Sequence, residues 1–344
     1  MSVHVGVLGA TGAVGQRLIQ LLAPHPEFEI VALTASDESA GRVYRDAAKW
    51  RADSPIPASV AEREVLPTEP GVLPAEVELL FSSLPSSVGR RVEPAFAEEG
   101  YLVSSNSSNA RMAPDVPLII PEVNADHLSL LEVQRDERGW SGGLVKNPNC
   151  STITAVPPRA ALQPFGLERV HVATLQAVSG AGYSGVSSMQ IIDNVIPHIG
   201  GEEDKVETEP CKLLGSFTGA AIEPAEMQIS ASCNRVPTLD GHLENVWVEC
   251  SESPELSEMA EAMRTFPSLP LHSSPDQLIH VFEDPERPQP RLDRGRQHGM
   301  QVTVGGLQST PFGAQFNALA HNTLRGAAGA SVLNGELLLE DGYL

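Results

Sequence analysis

Residues 3–22 read VHVGVLGATGAVGQRLIQLL, and this stretch decides the fold. Its first six residues form a mainly apolar run rich in Val, as a buried parallel strand requires. Gly9-Ala10-Thr11-Gly12-Ala13-Val14-Gly15 follows, and then Leu18, Ile19, Leu21 and Leu22 recur at helical spacing until Pro24 and Pro26 stop the helix. A second apolar run at 29–34 (EIVALT) closes a β-α-β unit of about 30 residues. Glycines between a buried strand and a helix start permit a tight turn, and the helix N-terminus offers free N–H groups to a pyrophosphate. The spacing is GxxGxxG rather than the usual GxGxxG, and glycines alone serve packing equally well. Position along the chain carries the argument: Gly9, Thr11, Gly12, Ala13, Val14 and Gly15 are candidate cofactor contacts.

The alternation continues. Residues 77–84 and 101–105 read as strands, 88–99 as a helix and 118–120 as a short apolar run. A strand-like stretch ends at 144–149, and Cys150 opens a helix that Pro157 and Pro158 should shorten or kink. Residues 47–74 lack periodicity and are rich in Pro, the pattern of irregular surface. Beyond this the pattern changes: 170–178, 227–236, 243–250 and 300–304 are strand-like, a helix starting at Ser253-Pro254 carries Leu256, Met259, Ala260 and Met263, and 316–339 is an Ala-rich helical segment. Long strands with few helices indicate a mainly antiparallel sheet. The expected fold is α/β plus α+β: a doubly wound dinucleotide-binding domain over 1–149, completed by a returning C-terminal helix within 315–344, and a second sheet domain over 150–314.

A length of 344 residues agrees with two domains at roughly 150 residues each. A hydrophobic content of 41% excludes wholesale disorder. No apolar run approaches the ~20 residues of a membrane helix, and the start of the chain has no signal-like pattern, so the expected location is cytoplasmic. The four cysteines (Cys150, Cys211, Cys233 and Cys250) form no CxxC pair, which argues against a disulfide framework and a zinc ribbon. No spacing of His and Cys suggests a metal. With 44 acidic against 23 basic residues, a net of -21, nucleic acid is a poor partner. The carboxylates are scattered, and only 4 of the basic residues are Lys. Such a surface repels itself at low salt and stays soluble at high salt, the signature expected of a salt-loving host.

The end of the second strand bears on the choice of cofactor. NAD enzymes place an acid there for the ribose 2′-OH. Here the strand ends Thr34-Ala35-Ser36, Asp37 comes slightly late, and Ser36, Ser39 and Arg42 suit a 2′-phosphate. NADP is favoured, although both serines serve equally well as turn caps.

Lys146-Asn147-Pro148-Asn149-Cys150-Ser151-Thr152 is the most informative stretch for chemistry. A Cys after a strand and at a helix start sits where the dipole and free N–H groups favour thiolate. A thiolate attacks acyl carbons, and the same N–H groups can hold the oxyanion that forms. On spacing alone a buried structural Cys is an equal reading.

Together GATGAVGQ (9–16), NPNCSTIT (147–154), LQAVSGAGYSG (175–185), SCNRVPTLDGH (232–242) and the Ala-rich C-terminal segment resemble the aspartate-semialdehyde dehydrogenase family in its archaeal and fungal-like branch. The resemblance spans nearly the whole chain. It implies a reversible reaction in which 4-aspartyl phosphate is reduced by NADPH to aspartate 4-semialdehyde and phosphate. It implies Cys150 as the nucleophile, forming a thioester, and His242 as the general acid/base, a choice that ten histidines alone would not allow. An imidazole near pKa ~6.5 suits that work. The planar Arg235 would hold the substrate α-carboxylate. Glu209 best matches the glutamate for the α-amino group, with Glu207 and Glu203 as rivals. Arg111 and Lys212 would form the phosphate pocket, and Asn149 and Gln176 would help orient the acyl group. Ser179 and Gly180 would line the cofactor, with Asn322 reaching the nicotinamide amide. A homodimer or homotetramer is implied.

Three alternatives stand beside this reading. N-acetyl-γ-glutamyl-phosphate reductase shares the chemistry, but its cysteine motif looks like NPGCY rather than NPNCS. Malonyl-CoA reductase would need a CoA site where Glu209 and Arg235 fit an amino acid. A non-catalytic NADP sensor would not need Cys150 and His242 together. The charge pattern supplies a separate expectation, that folding and activity increase as salt is added to dilute buffer. Melting temperature and turnover followed across a KCl series check this, and full activity in dilute buffer would remove the inference of a halophilic host.

Overall fold

The computed structural model describes residues 2–183 and 185–344. The first sheet contains β1 (Val3–Leu8), β2 (Phe28–Ala35), β3 (Leu66–Pro67), β4 (Leu79–Ser82), β5 (Leu102–Ser105) and β6 (Gly143–Lys146). Their order is β3-β2-β1-β4-β5-β6, and every pairing is parallel. This is the doubly wound order, with its topological switch between β1 and β4. The glycine turn lies at that switch, at the carboxyl end of β1. The three glycines answer to different constraints. Gly9 has φ +77°, a conformation that glycine tolerates best. A Cβ at Gly15 would stand 2.2 Å from the Gly9 carbonyl oxygen, so close helix–strand packing demands its absence. A Cβ at Gly12 would meet only that same oxygen, at 3.4 Å, so the chain itself leaves room there.

The second sheet begins with β7 (Leu167–Gln176). A two-residue hairpin of its own, β8 (Ser216–Phe217) with β9 (Ile222–Glu223), precedes β10 (Gln228–Arg235), β11 (His242–Cys250), β12 (Ile279–Val281), β13 (Val302–Thr310) and β14 (Gly313–Ala320). The sheet order is β10-β7-β11-β14-β13-β12. Its three central pairings are antiparallel, and the two outermost, β10 with β7 and β12 with β13, are parallel. One face buries Val170, Val172, Val246, Val248 and Phe316 against the helices Cys150–Leu162 and Leu256–Arg264. The opposite face carries a groove of about 680 Å³ lined by Arg169, His171, Trp247 and Phe312, and none of the predicted site residues borders it.

Three expectations change. Residues 316–320 are the end of β14 rather than the start of a helix. Phe316, Ala318 and Ala320 also read with a period of two, and pairing with β11 selects the strand. The helix itself is Gly329–Glu340. It does return to the first sheet, where Val332, Leu337 and Leu338 join the core around Val5, Val7 and Phe81. Pro157 and Pro158 do not shorten the helix Cys150–Leu162, in which every residue after Cys150 is buried; packing on all sides outweighs the two missing N–H groups. The helix Glu202–Leu213, between β7 and β10, carries no strong apolar stripe and escaped the periodicity reading.

A buried polar network ties the carboxyl ends of β4, β5 and β6 together. Lys146 Nζ lies 2.5 Å from Glu93 Oε2, with both side chains fully buried. The hydroxyls of Ser82, Ser105 and Ser107 donate to the same carboxylate. Such a pair is weak evidence for stability while intact, but removing one partner strands the other charge. Lys146→Met is therefore expected to cost about 3–5 kcal/mol, with much of the loss recovered in Glu93→Gln/Lys146→Met. Denaturant titration of the two single variants and the double variant measures the coupling.

Candidate active site

Lys146 ends β6, and four residues later Cys150 opens the helix Cys150–Leu162. Asn149 caps that helix: its Oδ1 accepts the N–H groups of Ser151 at 2.9 Å and Thr152 at 3.3 Å. The other end of the same amide donates to Glu202 Oε2 at 2.7 Å. Asn149 thus positions the cysteine through the helix start, and both ends of its side chain are engaged.

Across the cleft, His242 begins β11. Its Nε2 lies 3.2 Å from Cys150 Sγ. Its Nδ1 accepts the N–H of Ala177 at 3.1 Å. A nitrogen that accepts carries no hydrogen, so the neutral ring bears its proton on Nε2, facing the sulfur. Burial, reinforced by Arg235 and His321, pushes the imidazole down to about 3. Burial and then Glu202 hold the Cys150 thiol well above its ordinary value, against the pull of Arg111, Arg235 and Lys205. Cys150 keeps part of its surface at the cleft, whereas His242 keeps none. The resting pair is therefore a thiol beside a neutral imidazole.

The remaining predicted residues are brought to this pair to different degrees. Arg235 ends β10 and lies opposite Gln176, the last residue of β7, in parallel register. Its Nη1 donates to the Ala177 carbonyl at 2.8 Å. A Cβ at Gly180 would stand 2.8 Å from that Nη1 and 3.4 Å from His242 Nε2, so Gly180 packs directly on the site. Buried Arg111 donates from Nη1 to Glu209 Oε1 at 2.8 Å and from Nη2 to the Asn106 carbonyl at 2.8 Å. Its Nε has no partner among the described residues.

Several candidates face other tasks. Glu209 is committed to Arg111 and to the Asn149 N–H, the latter at 2.7 Å. Glu203 and Glu207 accept backbone N–H groups of the edge strand β10, from Cys233 and Ala231. All three hydrogens of Lys212 meet carbonyls, those of Arg111, Ala113 and Val116, at 2.7–2.8 Å. It fastens the loop that carries Arg111 and has no donor left for the cleft. The acid and the lysine on this helix whose charges act on the thiol are Glu202 and Lys205, which pair at 3.0 Å. Sequence reasoning missed both. The available signal was their spacing of three, which puts them on one face at the start of a helix. Asn322 is also committed within the protein: Oδ1 accepts the Gly241 N–H at 2.8 Å and Nδ2 donates to Ser179 Oγ at 2.8 Å.

Two clefts flank the glycine turn. One, of about 510 Å³, is lined by Gly9, Thr11, Gly12, Ser36, Asp37 and Arg91. Arg91 had no signal in the sequence, because its place follows from how the helix Ser86–Glu98 packs. Ser39 closes the turn after β2, with its N–H on the Ser36 carbonyl at 2.8 Å. Val14 and Gly15 face inward, Val14 against the core and Gly15 against Gly9. The second cleft, of about 470 Å³, is bordered by Ala13, Arg51, Ser179, Tyr183 and Asp240. Tyr183 donates to Gln16 Oε1 at 2.9 Å and lies under the Arg51 guanidinium. Among the described residues, no group of three or more His, Cys, Asp or Glu is placed to hold a metal. None of their helices is long and apolar enough to cross a membrane.

This arrangement, a cysteine at a helix start with a histidine at hydrogen-bond distance beside a nucleotide-sized cleft, agrees with the comparisons to known proteins. Residues 4–131 match the family described as semialdehyde dehydrogenase, NAD binding domain, and residues 159–325 match semialdehyde dehydrogenase, dimerisation domain. The chain is 50% identical over 342 residues to an aspartate-semialdehyde dehydrogenase of Archaeoglobus fulgidus, covering 99% of each chain. It is 43% identical to the enzyme of that name from Schizosaccharomyces pombe, again over 99% of both chains. It superposes on the crystal structure of aspartate semialdehyde dehydrogenase with NADP from Candida albicans with a TM-score of 0.92, at 39% identity over 100% of each chain. The chain belongs to the aspartate-semialdehyde dehydrogenase family.

Proposed function

We propose that this enzyme reduces 4-aspartyl phosphate reversibly to aspartate 4-semialdehyde and phosphate, with NADP(H) as cofactor and a thioester on Cys150. The observation that carries the reading is the 3.2 Å approach of Cys150 Sγ and His242 Nε2 at the start of a capped helix. The residues fit the cofactor. Gly12 lacks a Cβ where the protein itself would accept one, beside a cleft that also presents the Ser36 hydroxyl and the Arg91 guanidinium. Gly9, Thr11, Gly12 and Ala13 would hold the pyrophosphate, Ser36 and Arg91 the 2′-phosphate, and Ser179 and Gly180 the end nearest His242. When bound, NADPH supplies a hydride to the acyl carbon.

The chain's own residues do the rest. Cys150 Sγ gives up its proton and attacks the acyl carbon, the C–O bond to phosphate breaks, and phosphate leaves with the electron pair and takes that proton. His242 holds its proton on Nε2, next to the sulfur, and hydrogen-bonds the oxygen on which negative charge gathers. After reduction the C–S bond breaks, Cys150 leaves as thiolate and the aldehyde is released. Arg235 binds the α-carboxylate. Glu202, whose charge acts on Cys150 and whose side chain is less buried than that of Glu209, would take the α-amino group by exchanging its bonds to Asn149 and Lys205. Lys205 suits the phosphate better than Lys212, and Arg111 joins it through the unpartnered Nε. The substrate's cationic amine and anionic phosphate would then compensate Glu202 and Lys205, changing the field on the thiol at the moment of binding. A cytoplasmic homodimer or homotetramer, assembled through the second sheet, completes the proposal.

Cys150→Ala is expected to abolish phosphate-dependent oxidation of the semialdehyde while NADP binding, measured by fluorescence, survives; substantial turnover by this variant would overturn the covalent route. Arg235→Lys keeps the charge and loses the planar fork, so kcat/KM should fall by roughly 2 kcal/mol of transition-state binding, about thirtyfold. Unchanged kinetics would remove Arg235 from the pocket. The pH dependence has a definite sign. The folded state leaves His242 unprotonated where the unfolded chain, with a pKa of ~6.5, binds a proton. Stability should therefore decline as pH falls from about 6.5 towards 3. The rate of Cys150 alkylation by iodoacetamide in the free enzyme should climb only towards alkaline pH, and an inflection near 6.5 would contradict the neutral imidazole.

A further inference from the structure

One buried segment that the chemistry above does not use touches both halves of the site. After β14 the chain passes through His321, Asn322 and Thr323 into a single π turn, Leu324–Ala328. The turn is closed by bonds five residues long, from the Gly326 N–H to the His321 carbonyl at 3.0 Å and from the Ala328 N–H to the Thr323 carbonyl at 3.1 Å. A π turn is a rare device that packing must sustain, and it concentrates at functional sites.

Its anchor is Arg325. The guanidinium reaches back to the first half of the chain and meets Glu122 with two parallel bonds, of 2.7 and 2.9 Å. Both side chains are fully buried. Its bearing surface is Gly326: a Cβ there would stand 2.8 Å from Cys150 Cβ and 3.2 Å from Cys150 Cα. Those atoms are fixed by the backbone, so no rotamer of Cys150 relieves the contact. The Ala327 carbonyl accepts from Asn147 Nδ2 at 3.3 Å, three residues before the cysteine. On the other side, Asn322 holds the Gly241 N–H, next to His242. The segment therefore contacts the cysteine's helix start and the histidine's strand start together.

We propose that the Leu324–Ala328 turn is a brace that sets the Cys150–His242 separation, with Gly326 as its bearing and the Arg325–Glu122 pair as its anchor. These three are positioning residues; none touches the reacting atoms. The proposal rests on the reading of Cys150 as nucleophile. A displaced bearing would shift the sulfur relative to the imidazole while leaving the substrate and cofactor contacts in place.

Full-length Gly326→Ala and the double variant Arg325→Met/Glu122→Leu, which removes both buried charges together, test it beside Cys150→Ser. The measurements are kcat, KM for the semialdehyde and for NADP, melting temperature, and the pH profile of iodoacetamide alkylation at Cys150. Folded variants are expected to lose about ten- to a hundredfold in kcat, with KM values within about threefold of the parent and a displaced alkylation profile. A folded variant with parental kcat and an unmoved profile would overturn the brace, as would equal losses in kcat and in cofactor binding. Failure of both variants to fold would also overturn it, by making the segment a general core element. Turnover by Cys150→Ser would instead bring down the nucleophile reading, so the two failures are distinguishable.

Discussion

The site depends on one constraint: a sulfur and an imidazole, separated by 91 residues of chain, must be held within hydrogen-bond reach at the inner end of a cleft, with the imidazole fully buried. Neither group can drift. The sulfur is fixed by a helix start that Asn149 caps and that grows from the end of a fully buried strand. The ring is fixed by the Ala177 N–H, which also decides where its proton lies. A neutral imidazole that donates towards sulfur can support a thiolate and a growing oxyanion without ever carrying a charge into the interior, where a charge is costly.

The surrounding charges follow from that arrangement. Arg111, Arg235 and Lys205 face Glu202 and Glu209 around the cleft, so the pocket is polar and nearly balanced before any substrate arrives. Glu209 and Lys212 are committed to Arg111 and its loop and hold the framework. Glu202 and Lys205, two turns earlier on the same helix, pair with each other and act on the cysteine through their charges. A helix can serve both ends this way because residues seven apart share a face.

Much of this was legible in the chain. The β-α-β opening, the parallel order it announces and the position of Cys150 at a helix start all rest on local patterns of period two or 3.6, and these came through intact. Two features misled, and a third gave no local signal. The run at 316–320 carries both periods. Pro157 and Pro158 look like breakers until the helix is seen to be buried all round. Among the crowded acids of 202–209, composition ranks none above another, so the assignment of Glu209 rests on the family resemblance alone.

The amino-acid order alone determines where strands turn into helices, because capping, glycine conformation and apolar spacing act over a few residues. It also determines that a thiol stands at one of those junctions. Which histidine faces that thiol, which acid and which lysine fasten the Arg111 loop, and which glycine packs against the cysteine were decided only by tertiary packing. Those facts concern distances between residues far apart in the chain, and each is settled by what else is already paired once the two sheets and the C-terminal segment close on one another.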